Sequence, residues 1–229
     1  MPHELEASRL DRKRPLRDQI YDLVRQLILS GRIAPGEVLD EKMIAANLRV
    51  SRTPVREAVK KLSDEHLVDV VAQSGTRASR INRNEVEQAY LIRRALEMES
   101  AAQAATRMSE AHADQLNDIL QSHSRAIDRR RFAEAIALDD RFHRAIAEVS
   151  NLDRLWRAIE ISKAQLDRCR HLMLPREGEG AATLEHHRKI IRALNSKDAE
   201  LARRAMGDHL DSAYAATLKV MESGELETF

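Results

Sequence analysis

Ten residues constrain this chain more than any others: Val50-Ser51-Arg52-Thr53-Pro54-Val55-Arg56-Glu57-Ala58-Val59. They read as the start of a helix. Ser51 or Thr53 can offer a side-chain oxygen to a first-turn amide. Pro54 falls in the first turn, where its missing N–H costs least. Val55, Val59 and Leu62 recur at i, i+4 and i+7, so one stripe faces a core. Arg52, Thr53 and Arg56 are left near the exposed N-terminal end, and from that end of a recognition helix side chains reach base edges. A guanidinium fork matches guanine O6 and N7, and a second arginine or a hydroxyl holds phosphate. The same ten residues also suit a capped surface helix with two solvated arginines. The flanking sequence decides between the two.

Residues 1–14 are polar and basic and read as a flexible arm. From Pro15, the apolar positions Leu16, Ile20, Leu23, Val24, Leu27 and Ile28 keep helical spacing, and Gly31 stands where a helix ends. Ala34-Pro35-Gly36-Glu37 is a turn and Val38-Leu39 a short strand. Asp40 can cap a second helix over 41–48, with Ile44, Ala45 and Leu48 inward. After the third helix, ending near Glu65, residues 67–72 read as a strand, Gln73-Ser74-Gly75 as a tight turn and 76–81 as a return strand. Helix, helix, turn, helix, hairpin is the order of a winged helix-turn-helix. Its hairpin tip, at Ser74-Gly75, would lie against the DNA backbone or minor groove.

Composition supports a nucleic-acid face only in this first part. Net charge over the whole chain is +1, but residues 1–80 hold 15 Lys/Arg against 12 Asp/Glu. Few glycines and prolines and long runs of Ala, Leu, Glu and Arg point to a mostly helical protein. Cys169 is the only cysteine, which excludes an internal disulfide and fits a reducing compartment. No apolar run approaches the roughly 18–20 residues of a membrane span, and Met1 to Pro15 has no apolar signal core, so the expected location is the cytoplasm.

At this point the chain resembles a known family. Residues 16–80 look like the N-terminal domain of GntR-family bacterial transcription regulators. The likeness rests on Tyr21, the Gly31 stop, the Pro35-Gly36 turn, Leu39, Glu41, the run from Val50 to Glu57, and Gly75 in the wing. It implies double-stranded operator DNA as partner, with Lys42, Arg52 and Arg56 at DNA-contacting positions. Ser51, Thr53 and Gly75 would support them through backbone contacts. Two positions depart from the family pattern: Arg49 and His66 stand where glycine is usual. Both turns call for positive φ, at a cost of roughly 1 kcal/mol for a non-glycine residue. Arg49 could gain a phosphate contact in exchange.

Beyond residue 82, six helical segments are expected, about 84–107, 110–129, 132–149, 152–174, 178–195 and 197–221. Short loops imply an antiparallel bundle. Three segments carry histidine on an apolar stripe. One stripe is Phe132, Ile136, Asp139, His143 and Ile146. The second is Leu184, His187, Ile191 and Leu194. The third is Ala202, Ala205, His209, Ala213 and Val220. Buried imidazoles and carboxylates need partners. A single histidine of this kind is an ordinary hydrogen-bonded core residue, and Asp139/His143 is equally an i, i+4 salt bridge. Together, one carboxylate and three imidazoles would suit zinc first, with nickel, manganese or iron as alternatives.

LDDRFHRAIAEVSN, LEHHRKIIRAL and ARRAMGDHL resemble the helical effector domain of the FadR subfamily, the FCD domain. The resemblance covers most of residues 84–215, and a count of six helices is similar to its VanR-like group. It implies a divalent metal on Asp139, His143, His187 and His209. Since fatty-acyl-responsive members lack that set, it points away from an acyl-CoA effector. Arg93–Glu97 reads as an i, i+4 ion pair. By family pattern Arg93 or Arg94 can instead hold an effector carboxylate, with Arg170 and Arg168 as weaker candidates.

The expectation is a mostly α protein with a winged helix-turn-helix over 15–81 and an effector-binding and dimerisation bundle over 82–229. Its function would be that of a ligand-responsive repressor, binding an inverted repeat as a homodimer under the control of a small organic acid. A helical-bundle metalloenzyme is the competing class. Against it, the sequence holds no HExxH, no second metal motif and no nucleophile with its base. A constitutive architectural DNA binder is the third.

Overall fold

A computed structural model describes residues 10, 11, 13–71 and 75–223. The chain forms two compact units that divide between Asn82 and Arg83. The expected hairpin turn at Gln73-Ser74 and most of the arm (residues 1–9 and 12) lie outside the described residues.

The first unit has α1 (Leu16–Leu29), β1 (Val38–Leu39), α2 (Glu41–Leu48), α3 (Arg52–Asp64), β2 (Val68–Val71) and β3 (Gly75–Ala78). The strands make one antiparallel sheet in the order β1-β3-β2, with Leu39 opposite Thr76 and Val70 opposite Thr76 on its other side. The return strand thus ends at Ala78, short of the expected Ile81. The apolar stripes fall where helical spacing puts them. Ile20, Val24, Leu27 and Ile28 of α1 are buried with Ile44 and Leu48 of α2 and Val55, Val59 and Leu62 of α3. Each such side chain stabilises the fold by roughly 1.5–3 kcal/mol, which fixes the angle of α3. Glu65, just past α3, accepts from the Tyr21 hydroxyl and from Arg25 Nε at 3.1 Å, joining α1 to the end of α3.

Asp40 caps α2, accepting from the amides of Lys42 and Met43. The start of α3 differs from expectation. Ser51 occupies the N-cap position in extended conformation (ψ 165°), yet its side chain makes no capping bond, and Thr53 lies inside the helix. Arg49 and His66 do take the left-handed conformation, with φ of 52° and 56°. Both turns therefore keep the geometry that glycine would favour, with the strain carried by a longer side chain.

The second unit is all helical: α4 (Arg83–Ala105), α5 (Glu110–Asp128), α6 (Phe132–Ser150), α7 (Asp153–Ser162), α8 (Ala164–Met173), α9 (Glu179–Asn195) and α10 (Ala199–Glu222). The stretch expected as one segment over 152–174 is two helices, which gives seven in place of six. The break is at Lys163, where ψ opens to −1°. The Lys163 ammonium is buried and reaches Asp140 Oδ2 at 2.8 Å and Asp167 Oδ2 at 2.7 Å. α4 runs along α10, and α5 along α6. Phe142, Ile146, Leu116, Ile190, Leu194 and Met206 centre the core between them. Gly180 lets α9 approach α5, since a Cβ there would sit 2.7 Å from Ile127 Cγ2. Cys169 is fully buried, and burial pushes its thiol up to about 12, so it is inert packing. No helix among the described residues is long and apolar enough to cross a membrane.

Candidate functional site

In the first unit, Lys42, Arg49, Ser51, Arg52, Thr53 and Arg56 are all exposed. Arg49 and Ser51 flank the turn into α3, and Arg52, Thr53 and Arg56 occupy its first turn and a half. Glu41, at the start of α2, links this end to the sheet. Its carboxylate lies 3.5 Å from Arg56 Nε and accepts from the Thr76 hydroxyl at 3.3 Å. Gly75 opens β3 at φ +88°, with no atom of the described residues within 4 Å of the position a Cβ would take.

In the second unit, α6, α9 and α10 bring Asp139, His143, His187 and His209 together. One donor atom from each lies within 4.8 Å of the others, and all four residues are buried. His209 Nε2 stands 3.2 Å from His143 Nε2. Asp139 Oδ2 lies 3.7 Å from His143 Nε2, and Asp139 Oδ1 lies 3.3 Å from His187 Nε2. An ion held roughly 2.0–2.2 Å from each donor puts neighbouring donors about 3 Å apart, so these spacings fit one divalent cation. A second observation agrees: among the described residues neither buried ring nitrogen of His187 makes a well-formed hydrogen bond, Nε2 having only the 3.3 Å approach of Asp139. A chain seldom leaves such atoms unsatisfied unless a water or ion takes them.

The charges around the four donors favour ligation. Burial pushes His187 down to about 4, and burial with the neighbouring imidazoles holds His209 well below the ordinary histidine range. Both are neutral, as ligation requires. Burial alone would raise the Asp139 carboxyl, but the Arg170 guanidinium and the contact with His187 reverse this and hold it well below the usual range. His143 turns its other nitrogen, Nδ1, to Glu97 Oε2. Glu97 in turn accepts from Arg93 Nε at 2.6 Å. Burial would raise Glu97 as well, but Arg93 and His143 bring it down to about 2. An anionic carboxylate behind a ligand imidazole fixes the ring and raises its basicity.

Asp139 and His209 face a cavity of about 50 Å³, lined also by Arg93, Arg170, His123 and Tyr214 among others. The four effector candidates are not equivalent there. Arg93 lines the cavity and is also the i, i+4 partner of Glu97. Arg170 lines it too, but is engaged by Asp139, by Asp140 at 2.8 Å and by Asp167 at 3.1 Å. Arg94 is not a lining residue; it is half-exposed and pairs with Asp211 at 2.7 Å, beside the Tyr90 hydroxyl. Arg168 is fully buried and does not line the cavity.

Two residues escape the reading of the sequence. The part of Glu97 behind His143 has no local signal, because the contact joins α4 to α6. His123 did have one. Leu116, Ile119, Leu120, His123 and Ala126 are all buried on α5, the same pattern of histidine on an apolar stripe that singles out His143, His187 and His209.

Comparison with known proteins gives a consistent picture. Residues 16–77 match the gntR family of bacterial regulatory proteins, and residues 88–212 match the FCD domain. The HTH-type transcriptional repressor RspR of Escherichia coli K12 is 33% identical over 203 residues, 89% of each chain. The probable D-xylose utilization operon transcriptional repressor of Paenarthrobacter nicotinovorans is 31% identical over 87% of each. The solved structure of E. coli McbR/YncC superposes with a TM-score of 0.77 over 89% of this chain and 97% of that one. At 22% identity it shows the shared fold alone.

Proposed function

We infer that this chain, which belongs to the GntR family of bacterial regulatory proteins and carries an FCD domain, is a metal-dependent, effector-controlled transcriptional repressor of the cytoplasm. Family membership makes it a transcriptional regulator rather than an enzyme. Repression is the finer reading, supported by two relatives whose names call them repressors. A homodimer would set two copies of α3 in successive major grooves of an inverted repeat in double-stranded DNA. Arg52 and Arg56 would read base edges there. Lys42, Arg49, Ser51, Thr53 and the Gly75 end of the wing would fix the register on phosphate.

The observation that carries the effector half is the four-donor set at the edge of a cavity. Asp139, His143, His187 and His209 would hold the ion. Zinc suits three imidazoles and a carboxylate best, and nickel, manganese or iron are the alternatives. Held by these four residues, the ion would supply a Lewis-acidic partner for the oxygens of an effector. Arg93 stands in the cavity wall beside the donor set, a pairing that suits a small carboxylic acid as effector. It would act by binding the DNA-competent and the incompetent dimer with different affinity.

The DNA half is tested by selecting genomic fragments that the protein retains and measuring affinity for the recovered site by fluorescence anisotropy. Arg52→Ala is expected to weaken specific binding by roughly 1–3 kcal/mol with little effect on nonspecific duplex. Equal losses on both duplexes would reassign Arg52 to phosphate. In the effector half, Glu97→Gln is expected to lower metal affinity about 10- to 100-fold in a chelator competition, because His143 loses its anionic support. Unchanged affinity would leave Glu97 a folding residue only.

A further inference from the structure

His123 lies on α5, which contributes no donor to the four-residue set. Its side chain lines the same cavity and is 1% exposed. Neither ring nitrogen has a hydrogen-bond partner among the described residues. Its ring centroid is 5.5 Å from that of His187, so it stands beside the donor set without belonging to it. An imidazole always carries at least one N–H donor, and a buried donor left unmade is costly.

Several other polar groups of the cavity wall are already engaged. The Tyr90 hydroxyl donates to Asp211, Thr183 Oγ1 to the Glu179 carbonyl and Thr217 Oγ1 to the Ala213 carbonyl. Arg170 is shared among Asp139, Asp140 and Asp167. The rest of the wall is largely apolar, with Ile136, Leu166, Met173 and Leu210. A molecule in this cavity would therefore meet the four-donor set, the Arg93 guanidinium, a largely apolar wall and the His123 imidazole.

We propose that His123 is a specificity-determining residue of the effector pocket, donating a hydrogen bond to a second oxygen of the bound acid, separate from its carboxylate. The inference rests on the metal-and-carboxylate reading above. It narrows the effector to short acids bearing a further oxygen function, such as a hydroxyl or a carbonyl. Simple alkanoates satisfy the metal and Arg93 but leave His123 unpaired, and a site built to bond an oxygen discriminates strongly against the analogue that lacks it.

The test uses the full-length protein loaded with cobalt(II), whose visible absorption reports both metal uptake and changes in its ligands. Glycolate and acetate serve as probes, because they differ only by the second oxygen. Wild type is expected to bind glycolate at least tenfold more tightly than acetate. His123→Phe is expected to bind cobalt within about threefold of wild type and acetate likewise, but to lose the preference for glycolate. His123→Leu serves if the phenylalanine variant does not fold, and His123→Gln, which keeps a donor of similar reach, restores part of the preference. A wild-type protein without the preference, or a variant that keeps it, overturns the proposal. Loss of cobalt affinity in the phenylalanine or leucine variant would make His123 a metal ligand and overturn it too. Failure of wild type to take up cobalt would remove the metal reading itself, and this inference with it.

Discussion

Replacing His143 by alanine is expected to abolish tight uptake of a divalent ion and, with it, the ion's contribution to stability. His143 is fully buried at the centre of the donor set, with Nε2 toward His209 and Asp139 and Nδ1 on Glu97. Loss of a supporting contact to a ligand costs 10- to 100-fold in affinity, so loss of the ligand itself costs more than a hundredfold. An ion at about a hundred times its dissociation constant stabilises the folded chain by about 2.7 kcal/mol. For a chain of this size that raises Tm by roughly 5–10 °C. The wild-type protein should therefore melt that much higher with zinc than with chelator, and His143→Ala should melt at one temperature in both. Arg94→Ala is the control, because Arg94 pairs with Asp211 away from the cavity. It should keep the full response to metal. A His143→Ala protein with wild-type metal affinity would break the assignment of the four donors.

Acid should destabilise the metal-free protein well above the range where carboxylates titrate. His187 titrates near 4 in the folded chain because it is buried, against about 6.5 when unfolded. Between these values the unfolded chain binds a proton that the folded chain does not. The contribution is therefore fully present above about pH 6.5 and is lost as pH falls toward 4. From about pH 7.5 to about pH 5 the loss from His187 alone is roughly 2 kcal/mol. His209, His123 and His171 are shifted the same way and add to it. Asp139 and Glu97 are held low, so their contributions are lost only at more acid pH. Denaturant unfolding of the chelated protein at the two pH values measures this directly. His187→Gln should flatten the dependence. Stability unchanged over that interval would mean that His187 is not held neutral by burial.

What could be read in the sequence was local. The Asp40 cap, the turn conformations of Arg49 and His66 and the apolar stripes of α1 and α3 are set by residues within a few positions of one another. The histidine stripes were legible for the same reason, since i, i+4 spacing fixes a face. What each face meets is not local. Asp139 and His143 share a helix, but only the packing of α9 and α10 against it turns two separate histidines into their neighbours. The break at Lys163 escaped because helical spacing continues through it; a buried ammonium shared by Asp140 and Asp167 accompanies it. Glu97 looked like half of an ion pair with Arg93, and it is that. Its other oxygen, against His143, depends on α6, which starts at Phe132, 49 residues after the start of α4 at Arg83, and on neither helix's own pattern. Ser51 is the reverse case: the right residue at the N-cap position whose side chain leaves the capping bond unmade.

The proposed regulator carries a DNA-reading helix and a metal-bearing effector pocket on each chain of a dimer. Native mass spectrometry of the protein, purified without chelator or metal-affinity resin, tests it most directly. A dimer carrying one divalent ion per subunit is expected, with any further bound mass in the range of a small acid. A metal-free protein that also fails to take up zinc, nickel or manganese would contradict it, as would a species that stays monomeric at micromolar concentration.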